Sequence, residues 1–592
     1  MTGETAVLGV KRSAGGRLWK MRAAEERDIA ALSQRLGVSD MLARLMAARG
    51  VSLDDGAAFL DPRIRDMLPD PSTLVDMDKA AARLAEAIEA EEKIAIFGDY
   101  DVDGATSSAL LIRYLRALGR EPQVHIPDRQ REGYGPNAPA FQAFHKAGAK
   151  LVITVDCGTM AHEALAEAQT LGLDVIVADH HQTGGALPPC FALVNPRRAD
   201  DTSGLGHLAA VGVTFLLLVA THRLLRQNGY FENRTAPDLM QALDLVALGT
   251  VCDVVPLHDI NRAFVRQGLQ VMGAGGNVGL DALADVAKAR RPVDVQGLGF
   301  QLGPRINAGG RVGESALGTR LLTTDDRDEA VGFAARLDDF NSERRAIEAQ
   351  VQAEATAMAE EQVAAHNAPP PAFLLAGQGW HSGVVGIVAG RLKDRYRRPV
   401  FVVAIDKGGT GKGSGRSIGG VDLGRLVSGA VDAGIVESGG GHAMAAGITL
   451  AEAQLPAFAA YLQEKLGDMG FAEASEYLLD AAVAPQAVSL NFVEQIARIG
   501  PFGAGNPEPR FVLPSVRVVR ADVVKGEHLR CIIAGDGTGG SVKGMAFSSV
   551  PEDVRALLGR ATGLYHIAGR LQVNEWNGTR SAQLVIEDAA DA

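Results

Sequence analysis

Cysteine is scarce. Four occur in 592 residues (Cys157, Cys190, Cys252 and Cys531), with no CxxC spacing, which excludes a disulfide-dense scaffold and points to a reduced compartment. The first twenty residues hold no apolar core of signal-peptide length. The longest uncharged apolar run, Ala209 to Ala220, is too short to span a bilayer and reads as a buried helix. Positive charge is not in excess either: 59 Lys and Arg stand against 71 Asp and Glu, a net of −12. Any contact with nucleic acid must therefore use a local groove rather than global basicity. Internal repeats and low-complexity tracts are missing as well. These absences lead us to expect a soluble, cytoplasmic chain.

Hydrophobic residues make up 47% and charged residues 22%, a globular balance with length for about three to five domains. Glycine is abundant, at 69 residues, against an average near ~7%. From about 20 to 90 the pattern is helical, punctuated by Pro62, Pro69 and Pro71. Apolar strands then alternate with amphipathic helices: Lys93–Phe97, a helical stretch bearing Leu110, Leu111, Tyr114 and Leu115, Leu151–Val155, a helix over 161–171, and Asp174–Ala178. That alternation indicates an α/β unit with a parallel sheet covered on both faces, running to about residue 270. Residues 326–367 read as a long connector helix stopped by Pro369-Pro370-Pro371. A second α/β pattern follows from Ala372 (Phe373–Leu375, Val384–Leu392, Val400–Ala404), with glycine-rich turns at 408–420 and 439–441. From about 480, short strands (Phe511–Leu513, Val516–Val519, Leu529–Ile533, Leu584–Ile586) suggest a small antiparallel barrel. Residues 510–580 carry ten Lys and Arg against six Asp and Glu, a locally basic stretch in an acidic chain.

The segment Phe97-Gly-Asp99-Tyr-Asp101-Val-Asp103-Gly places three carboxylates at alternate positions in a loop after a strand, where open α/β sheets bind ligands. Their charges repel unless cations neutralise them. A helix N-cap cluster is the plain alternative. An EF-hand is rejected, because its twelfth position is Leu110 and a strand precedes the loop. Asp156 follows the strand 151–155, Asp179-His180-His181 follows 174–178, and Asp253 follows the apolar run 243–251. One such acid is ordinarily a cap, but four sites with a histidine pair call for a metal. Carboxylate and imidazole donors without thiolates favour Mn²⁺ or Mg²⁺ over zinc. Cys157 and Cys252, beside these acids, read as packing residues.

These segments resemble the motifs of the DHH phosphoesterase superfamily, here Asp179-His180-His181, and most of the chain from about residue 60 is similar to the RecJ family of single-stranded-DNA exonucleases. The resemblance implies that Asp101, Asp103, Asp156, His180 and Asp253 are metal ligands, with Asp156 bridging, and that His181 faces the scissile phosphate. Other superfamily members carry a His four residues before the first ligand Asp. This chain has Phe97 there, so Asp99 is the substitute ligand. The loop Pro127–Gly135 offers Arg129 and Tyr134 for a phosphate and a stacked base. Arg305, Asn307 and Arg311 resemble the family's segment at the edge of the substrate groove. Ser414, Arg416 and His442, in two glycine-rich segments, resemble the DHHA1 substrate-binding lobe, and the last domain resembles the family's OB-fold.

The implied fold class is α/β: DHH and DHHA1 lobes joined by a long helix, plus a C-terminal OB-like barrel. The expected divisions are an N-terminal helical segment over 1–75, the DHH domain over 76–270, a helical connector over 271–368, the DHHA1 domain over 369–470 and the OB-fold over 471–592. The implied activity is metal-dependent 5′→3′ degradation of single-stranded DNA in repair and recombination, with a single-stranded-DNA-binding protein and a helicase as partners. Two alternatives stand beside it. The extra barrel with its locally basic stretch and the Arg129/Tyr134 loop argue against a small-substrate phosphoesterase acting on oligonucleotides or cyclic dinucleotides. The retained acids argue against a non-catalytic replication scaffold.

Overall fold

The computed structural model describes residues 6–129, 131–366, 368–470, 475–535 and 540–592. A short strand, β1 (Arg17–Met21), comes first, followed by helices at Glu26–Leu36, Asp40–Ala47, Gly56–Leu60 and Ile64–Met67. The first lobe is built on β2 (Ile94–Gly98), β3 (Gln123–His125), β4 (Leu151–Val155), β5 (Asp174–Ala178) and β6 (Ala192–Val194), all parallel in the order β3-β2-β4-β5-β6. Every residue of β2 and β4 is buried, so both read as continuous apolar runs rather than alternations. Ile94, Ile96, Leu151 and Ile153 pack under helices Met77–Glu89, Val102–Ala117 and Ala210–Gln227. Ala95, Phe97, Val152 and Val175 face helices Ala138–Lys146 and His162–Thr170 on the opposite side. The chain leaves β2 on one side to make β3 and returns on the other to make β4. The loops after β2 and β4 thus open onto one crevice at the carboxyl edge, where such sheets bind ligands.

The connector is a helix of 40 residues, Arg327–His366, about 60 Å long at 1.5 Å per residue; residue 367, the last of the expected span, lies outside the described residues. The second lobe holds β7 (Phe373–Gln378), β8 (Val400–Ile405), β9 (Thr410–Arg416), β10 (Ser438–His442) and β11 (Ala445–Ala451) in the order β10-β11-β9-β8-β7, with only β7 and β8 parallel. Two glycine-rich segments expected as turns are mostly strand, β9 and β10. Their glycines serve close packing: a Cβ at Gly413 would lie 2.8 Å from Ile448 and 2.9 Å from Val403, and one at Gly415 would lie 2.5 Å from the Phe401 ring.

The third unit comprises β12 (Ser475–Leu479), β13 (Ala481–Ala482), β14 (Arg510–Val524), β15 (His528–Gly535), β16 (Ser541–Ala546), β17 (Tyr565–Trp576) and β18 (Thr579–Asp591). The sheet β13-β14-β15-β16-β18-β17 closes through a β14–β17 pairing, which leaves a barrel. It is not wholly antiparallel, since β16 pairs with β18 in parallel. The two strands expected at 511–513 and 516–519 are one bent strand, β14. Its register with β17 shifts between Leu513 and Val516, where Pro514 lacks an N–H and Ser515 has a φ of 49°.

The N-terminal stretch differs from a separate helical segment. β1 pairs in parallel with β12, and buried Trp19 donates from Nε1 to Asp588 Oδ2 at 2.9 Å. Ile29, Leu32, Leu42 and Met46 share one core with Phe511, Ile533 and Tyr565 of the barrel. Five residues, Arg17–Met21, are too few for periodicity to reveal a strand whose partner lies more than 450 residues away. Among the described residues no helix is long and apolar enough to cross a membrane.

Candidate metal centre

After β2 the chain turns sharply through Asp99-Tyr100-Asp101 into helix Val102–Ala117. Asp101 caps that helix, its Oδ1 accepting from the Gly104 N–H at 3.1 Å, so the N-cap reading holds for this residue. Asp103 lies in the first helical turn rather than in the loop. Its two oxygens accept from the backbone N–H groups of Ala210, at 2.6 Å, and Val211, at 2.9 Å, at the positive end of helix Ala210–Gln227. Gly104 is required by the turn, because a Cβ there would come 2.5 Å from the Asp99 carbonyl.

Asp156, directly after β4, has a φ of 59°, a left-handed conformation that costs a non-glycine residue on the order of 1 kcal/mol and recurs at functional sites. Asp179 follows β5. Its Oδ1 accepts from the His180 N–H at 2.7 Å, the His181 N–H at 3.2 Å and His181 Nδ1 at 2.7 Å, while its Oδ2 accepts from the Thr159 N–H at 3.1 Å. His180 donates from Nδ1 to the Leu208 carbonyl at 3.0 Å, which leaves Nε2 as the acceptor facing the acids. Asp253 ends helix Leu243–Cys252, whose carbonyl end favours a cation. That helix approaches Val102–Ala117 through Gly249, where a Cβ would lie 2.4 Å from Thr106 Oγ1 and 3.0 Å from Asp103 Oδ1.

The side chains converge in two groups. Asp99, Asp101 and Asp156 form one, and Asp103, His180 and Asp253 form the other, each with donor atoms within 4.8 Å of one another. His180 Nε2 stands 3.5 Å from Asp156 Oδ1, 3.5 Å from Asp253 Oδ2 and 3.8 Å from Asp103 Oδ2, so Asp156 touches both groups. Burial, and then the charge of neighbouring carboxylates, raises Asp99 and Asp156 well above the usual range and pushes Asp103 and Asp253 up to about 7. Asp99 Oδ1 and Asp156 Oδ1 are buried with no hydrogen-bond partner among the described residues. Orphaned carboxylate oxygens in a repelling cluster fit a divalent cation, and five carboxylates with one imidazole fit a hard one. Phe97 is fully buried against His125, with ring centroids 5.3 Å apart, and takes no part in either group.

His181 is placed differently from His180. Burial opposes its protonation, but the hydrogen bond and charge of Asp179 push it up to about 9, which makes it an imidazolium at neutral pH. The Tyr134 hydroxyl donates to the Asp156 carbonyl at 3.1 Å and lies 3.2 Å from His181 Nδ1. Tyr134, His181 and His442 line one cleft of about 870 Å³.

Arg129 stands over the Tyr100 ring at 5.1 Å and lines a second cleft, of about 890 Å³, with Arg311, Ser382, Lys412 and Ser414. Arg416 donates to Ser414 Oγ at 2.8 Å, and Arg311, on helix Gly303–Val312 of the connector region, donates to the Gly383 carbonyl of the second lobe at 2.7 Å. Burial, and then the neighbouring Arg129, brings Arg311 down to about 10. Arg305 and Asn307 do not line this cleft; Arg305 pairs with Asp338 of the connector at 2.8 Å. Sequence reasoning missed Ser382 and Lys412, the backbone donors to Asp103 and the Leu208 carbonyl. It also missed Asp179 as the group that orients the His181 ring, although its place at the end of β5 was a usable signal.

Comparison with known proteins identifies the domains and the family. Residues 93–250 match the family model for the DHH family N-terminal domain, 369–468 the DHHA1 domain and 479–588 the RecJ OB domain. The chain is 36% identical over 564 residues to the single-stranded-DNA-specific exonuclease RecJ of Escherichia coli, covering 93% of this chain and 95% of that one. It is 35% identical to the Bacillus subtilis protein of the same name, covering 97% and 70%. The crystal structure of RecJ in complex with Mn²⁺ from Thermus thermophilus superposes with a TM-score of 0.80 at 30% identity, covering 97% of this chain and 79% of that one. A complex of the Thermus protein with Mg²⁺ gives 0.74 at 29% identity, covering 97% and 78%.

Proposed function

The chain belongs to the RecJ family of exonucleases, and from that premise we infer that it is a single-stranded-DNA-specific exonuclease, a phosphodiester hydrolase using Mn²⁺ or Mg²⁺. The observation that carries this reading is the meeting of two carboxylate groups through Asp156 at the carboxyl edge of the first sheet, beside an arginine-lined cleft. Bound divalent ions would neutralise the acids, polarise the scissile phosphodiester and lower the pKa of water to near neutrality. Asp99, Asp101 and Asp156 would hold one ion, and Asp103, His180 and Asp253 the other, with Asp156 shared. The Leu208 carbonyl fixes the His180 tautomer, and the N–H groups of Ala210 and Val211 fix Asp103, so both ligands are oriented before any ion arrives. His181, charged and tethered to Asp179, is placed to donate a hydrogen bond to a phosphate oxygen.

Polarity is part of the proposal. A terminal phosphate is best held by guanidinium forks and neutral donors, and Arg129, Arg311, Arg416 and Ser414 supply these from both lobes. The 5′→3′ direction is what the RecJ resemblance implies, and these groups would then hold the 5′ phosphate. Tyr134 and His442 would flank the strand as it enters, and the basic residues of the barrel's 510–580 stretch would carry the strand beyond it. Arg305 and Asn307 would act at the rim, or through the connector by way of Asp338. We assign the DHH domain to 76–270, the connector to 271–368, the DHHA1 domain to 369–470 and the OB-fold to 471–592. Cytoplasmic repair and recombination, with a single-stranded-DNA-binding protein and a helicase, complete the reading.

A single strand labelled at either end, beside its duplex, tests it with purified protein and Mn²⁺. Early release of the 5′ label from the single strand alone is expected. Early release of the 3′ label would overturn the polarity, and equal cleavage of the duplex would overturn the strand specificity.

A further inference from the structure

A second cluster lies beside the metal centre, and its donor set is of another kind. His207, in the turn before helix Ala210–Gln227, meets His258 and Asp259 at the start of helix Asp259–Gly273. One ring nitrogen from each histidine and one carboxylate oxygen lie within 4.8 Å of one another. The two imidazole centroids are 4.6 Å apart, and His258 Nδ1 lies 2.8 Å from Asp259 Oδ2. His207 Nε2 is buried and has no hydrogen-bond partner among the described residues. An orphaned buried nitrogen on an imidazole that packs beside a second imidazole and a carboxylate is costly unless something binds it.

The backbone around the cluster is tied down. The Asn261 side-chain amide donates to the His207 carbonyl at 2.8 Å and to the Pro256 carbonyl at 3.0 Å. The Leu257 N–H donates to the Ala504 carbonyl at 2.7 Å, at the edge of the barrel unit. His258 and Asp259 are exposed, so their side chains have room to turn toward an ion. Burial, followed by the neighbouring His258, holds the His207 ring below the usual imidazole range, which keeps its lone pair free at neutral pH. The charge of Asp259 offsets the positive end of the helix it begins, which would otherwise repel a cation.

We propose that His207, His258 and Asp259 bind a borderline transition-metal ion of the zinc class, at a site separate from the carboxylate centre. Two imidazoles and one carboxylate, with a position left for water, suit Zn²⁺. Mg²⁺ and Mn²⁺, which favour oxygen donors, suit the carboxylate centre instead. The ion braces two segments that carry catalytic groups. His207 adjoins Leu208, whose carbonyl orients His180, and His258 lies five residues after Asp253.

The test uses full-length protein with saturating Mg²⁺ on the carboxylate centre and Co²⁺ as the spectroscopic probe, with a parallel calorimetric Zn²⁺ titration. One equivalent of Co²⁺ is expected to give the intense visible absorption of low-coordinate cobalt. The signal should persist in Asp156→Ala, and affinity should fall at least about tenfold in both His258→Ala and Asp259→Asn. Far-UV circular dichroism and thermal unfolding of metal-free His258→Ala that match the metal-free wild type show that the fold is intact. Superimposable titrations of wild type and His258→Ala, or loss of the equivalent in Asp156→Ala, would overturn the site.

Discussion

Asp253→Asn removes one charge from the repelling cluster without changing its shape, and it separates the electrostatics of the metal-free centre from its chemistry. The Asp253 carboxyl is pushed up from 3.8 to about 7 by burial and then by the charge of Asp101. A shift of about 3 units corresponds to about 4 kcal/mol at 1.36 kcal/mol per unit. The side chain is 24% exposed, so solvent screening leaves roughly half, on the order of 2 kcal/mol. The sign follows from linkage. A carboxyl whose folded pKa is raised costs nothing below about pH 4, where it is protonated in both states; the cost grows between pH 4 and 7 and is complete above. In EDTA at pH 8, the transition of the first lobe should therefore rise by about 4–8 °C in Asp253→Asn, taking ~2–4 °C per kcal/mol for a unit of ~200 residues. At pH 5 the gap should shrink to about a third. Added Mn²⁺ should stabilise the wild type more than the variant. Thermal unfolding of both proteins at the two pH values checks this; a gap independent of pH, or a wild type that is more stable in EDTA at pH 8, would refute the argument.

Calorimetric Mn²⁺ titration should resolve unequal sites, because Phe97 gives the Asp99 group no imidazole; two equally tight sites would show that Asp99 fully replaces one. Arg416→Ala should erase a preference for 5′-phosphate over 5′-hydroxyl strands while leaving Mn²⁺ binding intact, as compared by rates on both substrates. Arg517→Ala with Lys543→Ala, both exposed on the barrel, should weaken binding of long strands and reduce the salt slope by about 1.4 if each contacts one phosphate. Cleavage of very short strands should not change, and an unaltered slope would remove that face from the strand's path.

Much of the first lobe was legible because its chemistry is local. β4 and β5 are continuous apolar runs, and an acid follows each of β2, β4 and β5 where a parallel sheet presents its ligands. The motif resemblance also named the residues that gather there, Asp99 among them, but not how they divide into groups. Other features depend on distant parts of the chain. Glycine in β9 and β10 reads as a turn until Phe401, Val403 and Ile448 are known to press against it. Arg305 reads as a residue at the edge of the substrate groove until Asp338, on the connector, is found beside it. β1 has a partner more than 450 residues away, and the N-terminal helices complete the core of a barrel that the sequence suggests is separate. The groups that orient the ligands are mostly main-chain atoms (the Leu208 carbonyl and the N–H groups of Ala210 and Val211), and a main-chain atom leaves no residue signature.

The central claim is that the cluster joined by Asp156 is the hydrolytic centre. It is tested most directly by measuring cleavage and strand binding together in wild type and Asp156→Ala, with Mn²⁺ and with EDTA. Asp156→Ala should lose cleavage by at least about three orders of magnitude, equivalent to about 4 kcal/mol of transition-state stabilisation, and EDTA should do the same to the wild type. Affinity for single-stranded DNA should hold within a few fold, because the phosphate contacts we propose are spread over the arginine cleft and the barrel. Near-normal turnover in Asp156→Ala would contradict the account.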